Sequence, residues 1–271
     1  MWNSVAPGWD ANARYVDDQL ALATQSLLDA AAVGEGDSVL ELATGPGGAG
    51  LAAARRVGPT GAVVLSDVAA EMVAVAARRA SEYAWVSTSV FDQSEIAAAD
   101  GCFDAVISRH GLMFVEDPAA AIREAARVLR AGGRYATMTW GPREQNPWLG
   151  LVLDAVGEQF GVPFPPSTVR GPFALDDEGL LRSVLAEGGL SDIEVHSQPT
   201  PMRSASLEAW WERVPQLAGP LAVALAAMEP DVREAIVARA LSAGAREARR
   251  DGDEIEFAGS VLVASGRTPS G

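Results

Sequence analysis

The 271 residues carry a formal net charge of −15, nearly half of them are apolar, and every basic side chain is an arginine. Such acidity repels phosphate backbones and anionic lipid headgroups, so no nucleic acid and no membrane surface is expected as a partner; the missing lysine excludes Schiff-base and lysine-base chemistry. The single cysteine, Cys102, excludes an internal disulfide and a cysteine metal cluster, so no metal is expected and a reducing, cytoplasmic setting is.

The chain opens on an irregular aromatic stretch with Trp2, Trp9 and Tyr15; Asn3, Pro7 and Asp10 stand where a signal peptide would be basic and then apolar. No apolar run reaches about 18 residues, so no membrane span is expected. Leu20, Ala23, Thr24, Leu27, Leu28 and Ala31 then recur at helical spacing, and Gly34 to Gly36 end that helix. Residues 37–50, DSVLELATGPGGAG, organise the rest. Val39, Leu40 and Leu42 make a short strand with Glu41 set into it, four glycines follow between Gly45 and Gly50, and Leu51 to Val57 begins a helix. Glycines between a strand and a helix let bare backbone N–H groups approach a ligand, so this turn is expected to hold a cofactor.

Ala62 to Leu65 is the second strand, stopping at Ser66 and Asp67, and Met72, Val73, Ala76 and Ala77 mark the next helix. Trp85 to Val90 is the third strand and Phe103, Ala105, Val106 and Ile107 the fourth. Asp117 followed by Pro118 is an N-cap with proline at the first helical position. Ile122, Ala126 and Leu129 share that helix face, Arg130 to Gly133 close it, and Arg134 to Trp140 is a fifth strand. From Gly141 to Phe173 prolines interleave with aromatics around a helix near Leu149 to Phe160. A helix over Asp176 to Glu187, a sixth strand at Ile193 to Val195, a helical insertion over Ser204 to Arg250 and a last strand at Glu254 to Ala264 complete the chain. Alternating strands and helices predict an α/β fold in one domain, a doubly wound, mostly parallel seven-stranded sheet with a helical insertion near the C-terminus.

Gly45, Gly47 and Gly50 satisfy the G-x-G-x-x-G spacing of a dinucleotide site, with Asp67 near the expected distance for a ribose-binding acid. That match alone leaves an NAD-dependent oxidoreductase open. Further segments separate the readings: ELATGPGG, SDVAAEM, VFDQ, FDAVISRHGLMF and RVLRAGG occur in that order. On these motifs, over about Val33 to Trp140, the chain resembles the class I S-adenosylmethionine-dependent methyltransferases, in their quinone-biosynthesis-like small-molecule group with a Rossmann-like fold. Ala43 departs from the pattern, standing where the family has its first glycine.

The resemblance implies S-adenosylmethionine as cofactor and S-adenosylhomocysteine as product. It places Ala43, Thr44, Gly45 and Gly47 beneath the methionyl part, with Glu41 orienting the loop through hydrogen bonds. Asp67 would accept both ribose hydroxyls, Val68 and Met72 would sandwich the adenine, Asp92 would accept from its amino group, and Gln93 would offer backbone contact. Ser108 and Arg109 would lie near the methionyl end. Methyl transfer needs alignment and exclusion of water, with no metal, and His110 is the candidate general base. Residues 1–33 are expected to form a helical cap on a cofactor core at 34–140, with substrate covers at 141–175 and 199–250; the aromatic stretch from Trp140 to Phe173 and the helices with Trp210 and Trp211 are the candidates for that cover. The expected partner is a small, largely apolar acceptor methylated at O, N or C, and the expected state is monomer or homodimer. A methyltransferase-fold protein that binds the cofactor without methyl transfer, cyclase-like or regulatory, remains the other alternative.

Overall fold

The computed structural model describes residues 2–166 and 168–269 of the chain. Its first segment departs from the irregular stretch expected. It is a helix, α1 (Trp2–Gln19), which runs through Pro7 and is followed by α2 (Ala21–Ala30). The residues α1 buries, Val5, Ala6, Ala13 and Val16, are few and small, so its periodic signal is weak beside Pro7 and Gly8. Gly8 serves packing, because a Cβ there would sit 2.6 Å from the carbonyl oxygen of Gln216.

The glycine turn lies between β1 (Ser38–Leu42) and α3 (Gly48–Val57), and β2 (Ala62–Asp67), α4 (Ala70–Arg79) and β3 (Val86–Val90) follow. Between β3 and β4 (Phe103–Arg109) the described residues form no helix, so one of the expected alternations is a loop. Asp117 caps α5 (Pro118–Val128), accepting from the Ala120 N–H at 2.9 Å. The strand β5 (Leu129–Trp140) starts earlier than the glycines suggest. Its register against β4 shifts between Phe103 and Ala105, and that irregularity absorbs Gly132, which has φ 73°.

Next come α6 (Pro147–Phe160), α7 (Glu178–Glu187) and β6 (Ser191–Pro199), then β7 (Met202–Ser204), α8 (Leu207–Leu217), α9 (Gly219–Ala226), α10 (Pro230–Glu247) and β8 (Arg249–Asp251). The single last strand expected is instead two, β9 (Glu254–Phe257) and β10 (Ser260–Arg267). They separate at Gly259, where a Cβ would overlap the carbonyl oxygen of Thr200. The three short strands make a separate antiparallel sheet in the order β7-β9-β8.

The main sheet has seven strands in the order β3-β2-β1-β4-β5-β10-β6, parallel except that β10 runs antiparallel to both neighbours. Val39 to Leu42 and Ser260 to Gly266 are buried without alternation, the pattern of strands covered on both faces. The fold class read from the sequence is therefore the one found. The chain steps outward from β1 through β2 to β3 and then returns to place β4 on the other side of β1. Leu42 is in register with Ser108, so the loops that leave β1 and β4 emerge side by side at this reversal. Open α/β sheets bind ligands in the crevice such a reversal creates. No helix among the described residues is long and apolar enough to cross a membrane.

Candidate active site

Over the carboxyl ends of β1, β2, β4 and β5 lies a cavity of about 640 Å³, within the range of small-molecule sites. Its floor is Ala43, Thr44, Gly45 and Pro46, the first half of the glycine turn. Asp67, Val68, Met72, Asp92 and Gln93 form one wall, and Arg109 and His110 another. Three residues singled out in the sequence stand behind these walls. Glu41 and Ser108 are buried inside the sheet, and Gly47 faces Ala76 and Leu65 beneath α3.

The turn is held from below by Glu41, which is 1 % exposed. Its carboxyl accepts from the Thr44 hydroxyl and, at 2.9 Å, from the Gly50 N–H. A Cβ on Gly50 would overlap Leu65 and the Glu41 carboxyl, so glycine is required for this approach. Burial pushes the Glu41 carboxyl up to about 7, against the pull of the Thr44 hydrogen bond and the Arg109 charge. A raised folded pKa means that the group's contribution to stability is complete below its ordinary 4.5 and is lost as pH rises through 7. Relative to Glu41→Gln, the wild type is therefore expected to lose ~3 kcal/mol of unfolding free energy from about pH 5 to about pH 8. Urea titrations of both proteins at the two pH values measure this, and parallel pH profiles would remove Glu41 as the cause.

Asp67 ends β2 with both oxygens in use. Oδ2 accepts from the Gly45 N–H at 2.9 Å and Oδ1 from the Ala69 N–H at 2.9 Å. Burial raises its pKa, opposed by these backbone bonds. The Val68 N–H also contributes, and a carboxylate has about four acceptor positions, so acceptor capacity remains for a ligand. Asp92 accepts from the N–H and hydroxyl of Ser94, while the buried Oε1 of Gln93 has no protein partner. The Trp9 Nε1 on the facing helix is also buried and unpartnered.

Two residues that leave adjacent strands have left-handed backbones without being glycine: Ala43 at φ 53° and His110 at φ 59°. The His110 N–H donates to the Met138 carbonyl at 2.8 Å. Its ring stacks on Trp140 with centroids 4.0 Å apart, and neither ring nitrogen has a protein partner. Burial and then the Arg109 charge hold its pKa down, at about 3, so the imidazole is neutral at physiological pH. In that state it can donate from one nitrogen and accept at the other.

The sequence pattern missed what fastens α1 to the turn. Asp17 of α1 bridges Arg109 at 3.2 Å and Arg79 of α4, and Arg79 also donates to the Pro46 carbonyl at 2.6 Å. Arg109 additionally donates to Thr24 at 3.0 Å, so its guanidinium is committed to protein partners. Nothing in the local sequence marks Asp17, whose partners lie in other elements.

Beyond the turn the cavity becomes aromatic, with Trp140, Trp148 and Trp210 in its wall. The Trp148 Nε1–H donates to Asn146 at 3.2 Å and the Trp210 Nε1–H to the Trp148 carbonyl at 2.7 Å, which fixes both rings. Trp211, also marked as a cover residue, is outside the lining. No group of three metal-ligating side chains occurs among the described residues. A nucleoside with a charged amino-acid tail fits this lining: a carboxylate with free acceptor positions, an unpartnered amide oxygen, and open backbone at Gly45, where an added Cβ would meet nothing.

Residues 40–137 match the family Methyltransf_11, a methyltransferase domain. The ubiquinone/menaquinone biosynthesis C-methyltransferase UbiE of Pseudomonas putida is 30 % identical over 69 % of this chain and 70 % of its own length. The UbiE of Hahella chejuensis is 32 % identical over 57 % of this chain and 63 % of its own, so the chain spans less than two thirds of that relative. Among solved structures, the YcgJ protein of Bacillus subtilis superposes with a TM-score of 0.61 at 18 % identity, covering 94 % of this chain and 99 % of that one.

Proposed function

Because this chain belongs to the class I S-adenosylmethionine-dependent methyltransferases, we propose that it transfers the cofactor's methyl group to an O, N or C nucleophile of a small, largely apolar acceptor. One observation carries the reading: the glycine turn and Asp67 open into the same cavity as the tryptophan-rich wall. When bound, the cofactor supplies an electrophilic methyl on a sulfonium.

The protein's own groups do the rest. Asp67 accepts the ribose hydroxyls while it keeps the Gly45 and Ala69 N–H groups. Val68 and Met72 pack on the adenine, and Asp92 and Gln93 meet its polar edge. Glu41 shapes the turn from behind, and Ala43 to Gly45 carry the methionyl part. The residues of 1–33, 141–175 and 199–250 that line the cavity exclude water and align the acceptor, which is most of what an in-line displacement requires. His110 holds the acceptor's nucleophile by a hydrogen bond from a neutral ring. With a pKa of about 3 it is a weak proton acceptor in the free protein. The protein is read as a cytoplasmic monomer or homodimer.

S-Adenosylhomocysteine at about 100 times its Kd should stabilise the fold by ~2.7 kcal/mol, visible as a rise in melting temperature, and NAD should give none. Stabilisation by NAD and not by S-adenosylhomocysteine would overturn the cofactor reading. Transfer of a radiolabelled methyl to members of an acceptor panel tests the reaction itself.

A further inference from the structure

Three arginines line the cavity, and two of them have acid partners. Arg109 pairs with Asp17, and Arg203 pairs with Asp251 and Glu256. Arg213 of α8 has no ion pair among the described residues, in a protein of net charge −15. Acids are plentiful on this chain, so a half-buried guanidinium in a cavity wall without one is a departure that calls for a ligand.

The guanidinium is also held still. Nε donates to Asn12 of α1 at 3.2 Å and Nη1 donates to Ser204 of β7 at 3.1 Å. Its carbon stands 3.8 Å from the centroid of the Tyr15 ring, whose hydroxyl is tied to the Arg203 carbonyl at 2.7 Å. Burial raises the Tyr15 pKa against the pull of the Arg213 charge, with Glu254 adding a smaller push upward, and Glu254 forms no ion pair with Arg213 among the described residues. Contacts from α1 and β7 therefore fix the plane of one cation, and the bonds to Asn12 and Ser204 use two of its five N–H donors. A fork of this kind, with its rotamer already set, recognises a planar anion at little entropic cost.

We propose that Arg213 anchors a carboxylate of the acceptor, so that the substrate is a hydrophobic monocarboxylic acid whose apolar body lies against Trp148 and Trp210. This rests on the methyltransferase reading and adds to it the acceptor's charge. A monoanion is favoured over a phosphate because, among the described residues, Arg213 is the one arginine of the wall without an acid partner. Arg213 binds and orients; it is not among the residues assigned to the methyl donor.

The test uses the full chain with saturating S-adenosylhomocysteine and four ring-matched pairs, each an acid and its primary amide: benzoate, cinnamate, 4-phenylbutyrate and 2-naphthoate. Binding is read by tryptophan fluorescence and calorimetry. At least one acid should bind the wild type tenfold or more tighter than its amide. Arg213→Gln should abolish that preference, and Arg213→Lys should retain part of it. The acid-amide comparison needs only wild-type protein, so misfolding of a variant does not decide the matter. Equal affinity within every pair, tighter amides, no binding by any acid, or an acid preference that survives in folded Arg213→Gln would overturn the proposal. Tighter binding of phenyl phosphate than of every acid would also overturn it, in favour of a dianion site. S-Adenosylhomocysteine affinity is measured in the same samples. Its absence in wild type would sink the methyltransferase reading, whereas its presence without acid preference sinks only the anchor.

Discussion

Asp67→Ala is expected to weaken S-adenosylhomocysteine binding about 100-fold, the loss of two charge-assisted hydrogen bonds at the lower end of their usual strength. The same change frees the Gly45 and Ala69 N–H groups, which now donate to the carboxylate at 2.9 Å each. Asp67 lies 7 % exposed, so those donors regain little water and the apo protein should lose ~1–3 kcal/mol as well. Asp67→Asn separates the two effects, since its amide oxygen still satisfies one backbone donor while its NH2 cannot accept the other. Calorimetric titration of both variants decides the matter. Affinity within threefold of wild type in Asp67→Ala would remove this residue from the cofactor site.

The second large effect concerns two neighbours across the reversal of strand order. A Cβ added to Gly111 would overlap the Cβ of Ala43 and come within 2.9 Å of the Ser108 hydroxyl oxygen. Ala43 is attached to a left-handed backbone at φ 53° and cannot swing aside as a long side chain would. Gly111→Ala should therefore cost ~3 kcal/mol of stability and displace the turn, lowering S-adenosylhomocysteine affinity at least tenfold, an overpacking effect. Ala43→Gly alone should be neutral or stabilising by up to ~1 kcal/mol, because glycine adopts positive φ without strain. In the double variant most of the Gly111→Ala penalty should vanish, leaving a coupling energy of ~2 kcal/mol. Additive changes in the four-protein cycle would show that the two positions do not share the space.

The sequence was most legible where one residue type does one local job. Asp117 before Pro118 announced a helix start, and the capping bond to Ala120 is there. Alternation of apolar runs with glycines located β1, β2 and the turn between β1 and α3. Legibility failed where tertiary contacts override local pattern. The helix α1 was hidden because Pro7 and Gly8 look like breakers, although Gly8 is what lets the backbone at Gln216 come close. The split between β9 and β10 was hidden because both halves are apolar enough for one strand, and only contact with Thr200 shows that the chain changes sheets at Gly259. At the site, the residues of the turn and of the wall at Asp67 were readable as a series of motifs. Asp17 and Arg213 were not, since their meaning lies entirely in partners from distant elements.

The pairing of Pro199 with Ser260 in the main sheet bears on how such a protein can change its substrate. Residues 200–259, which supply Met202, Trp210, Arg213 and Leu221 to the cavity, leave the sheet and rejoin it at one rung of the ladder, with the Thr200 N–H donating to the Gly259 carbonyl at 2.8 Å. The excursion is a closed detour from a scaffold whose register does not depend on its length. Doubling such a detour adds only ~0.6 kcal/mol of closure entropy. On the function proposed above, this is the segment that would meet the acceptor, and it can be exchanged as a cassette while the glycine turn and the Asp67 wall are kept.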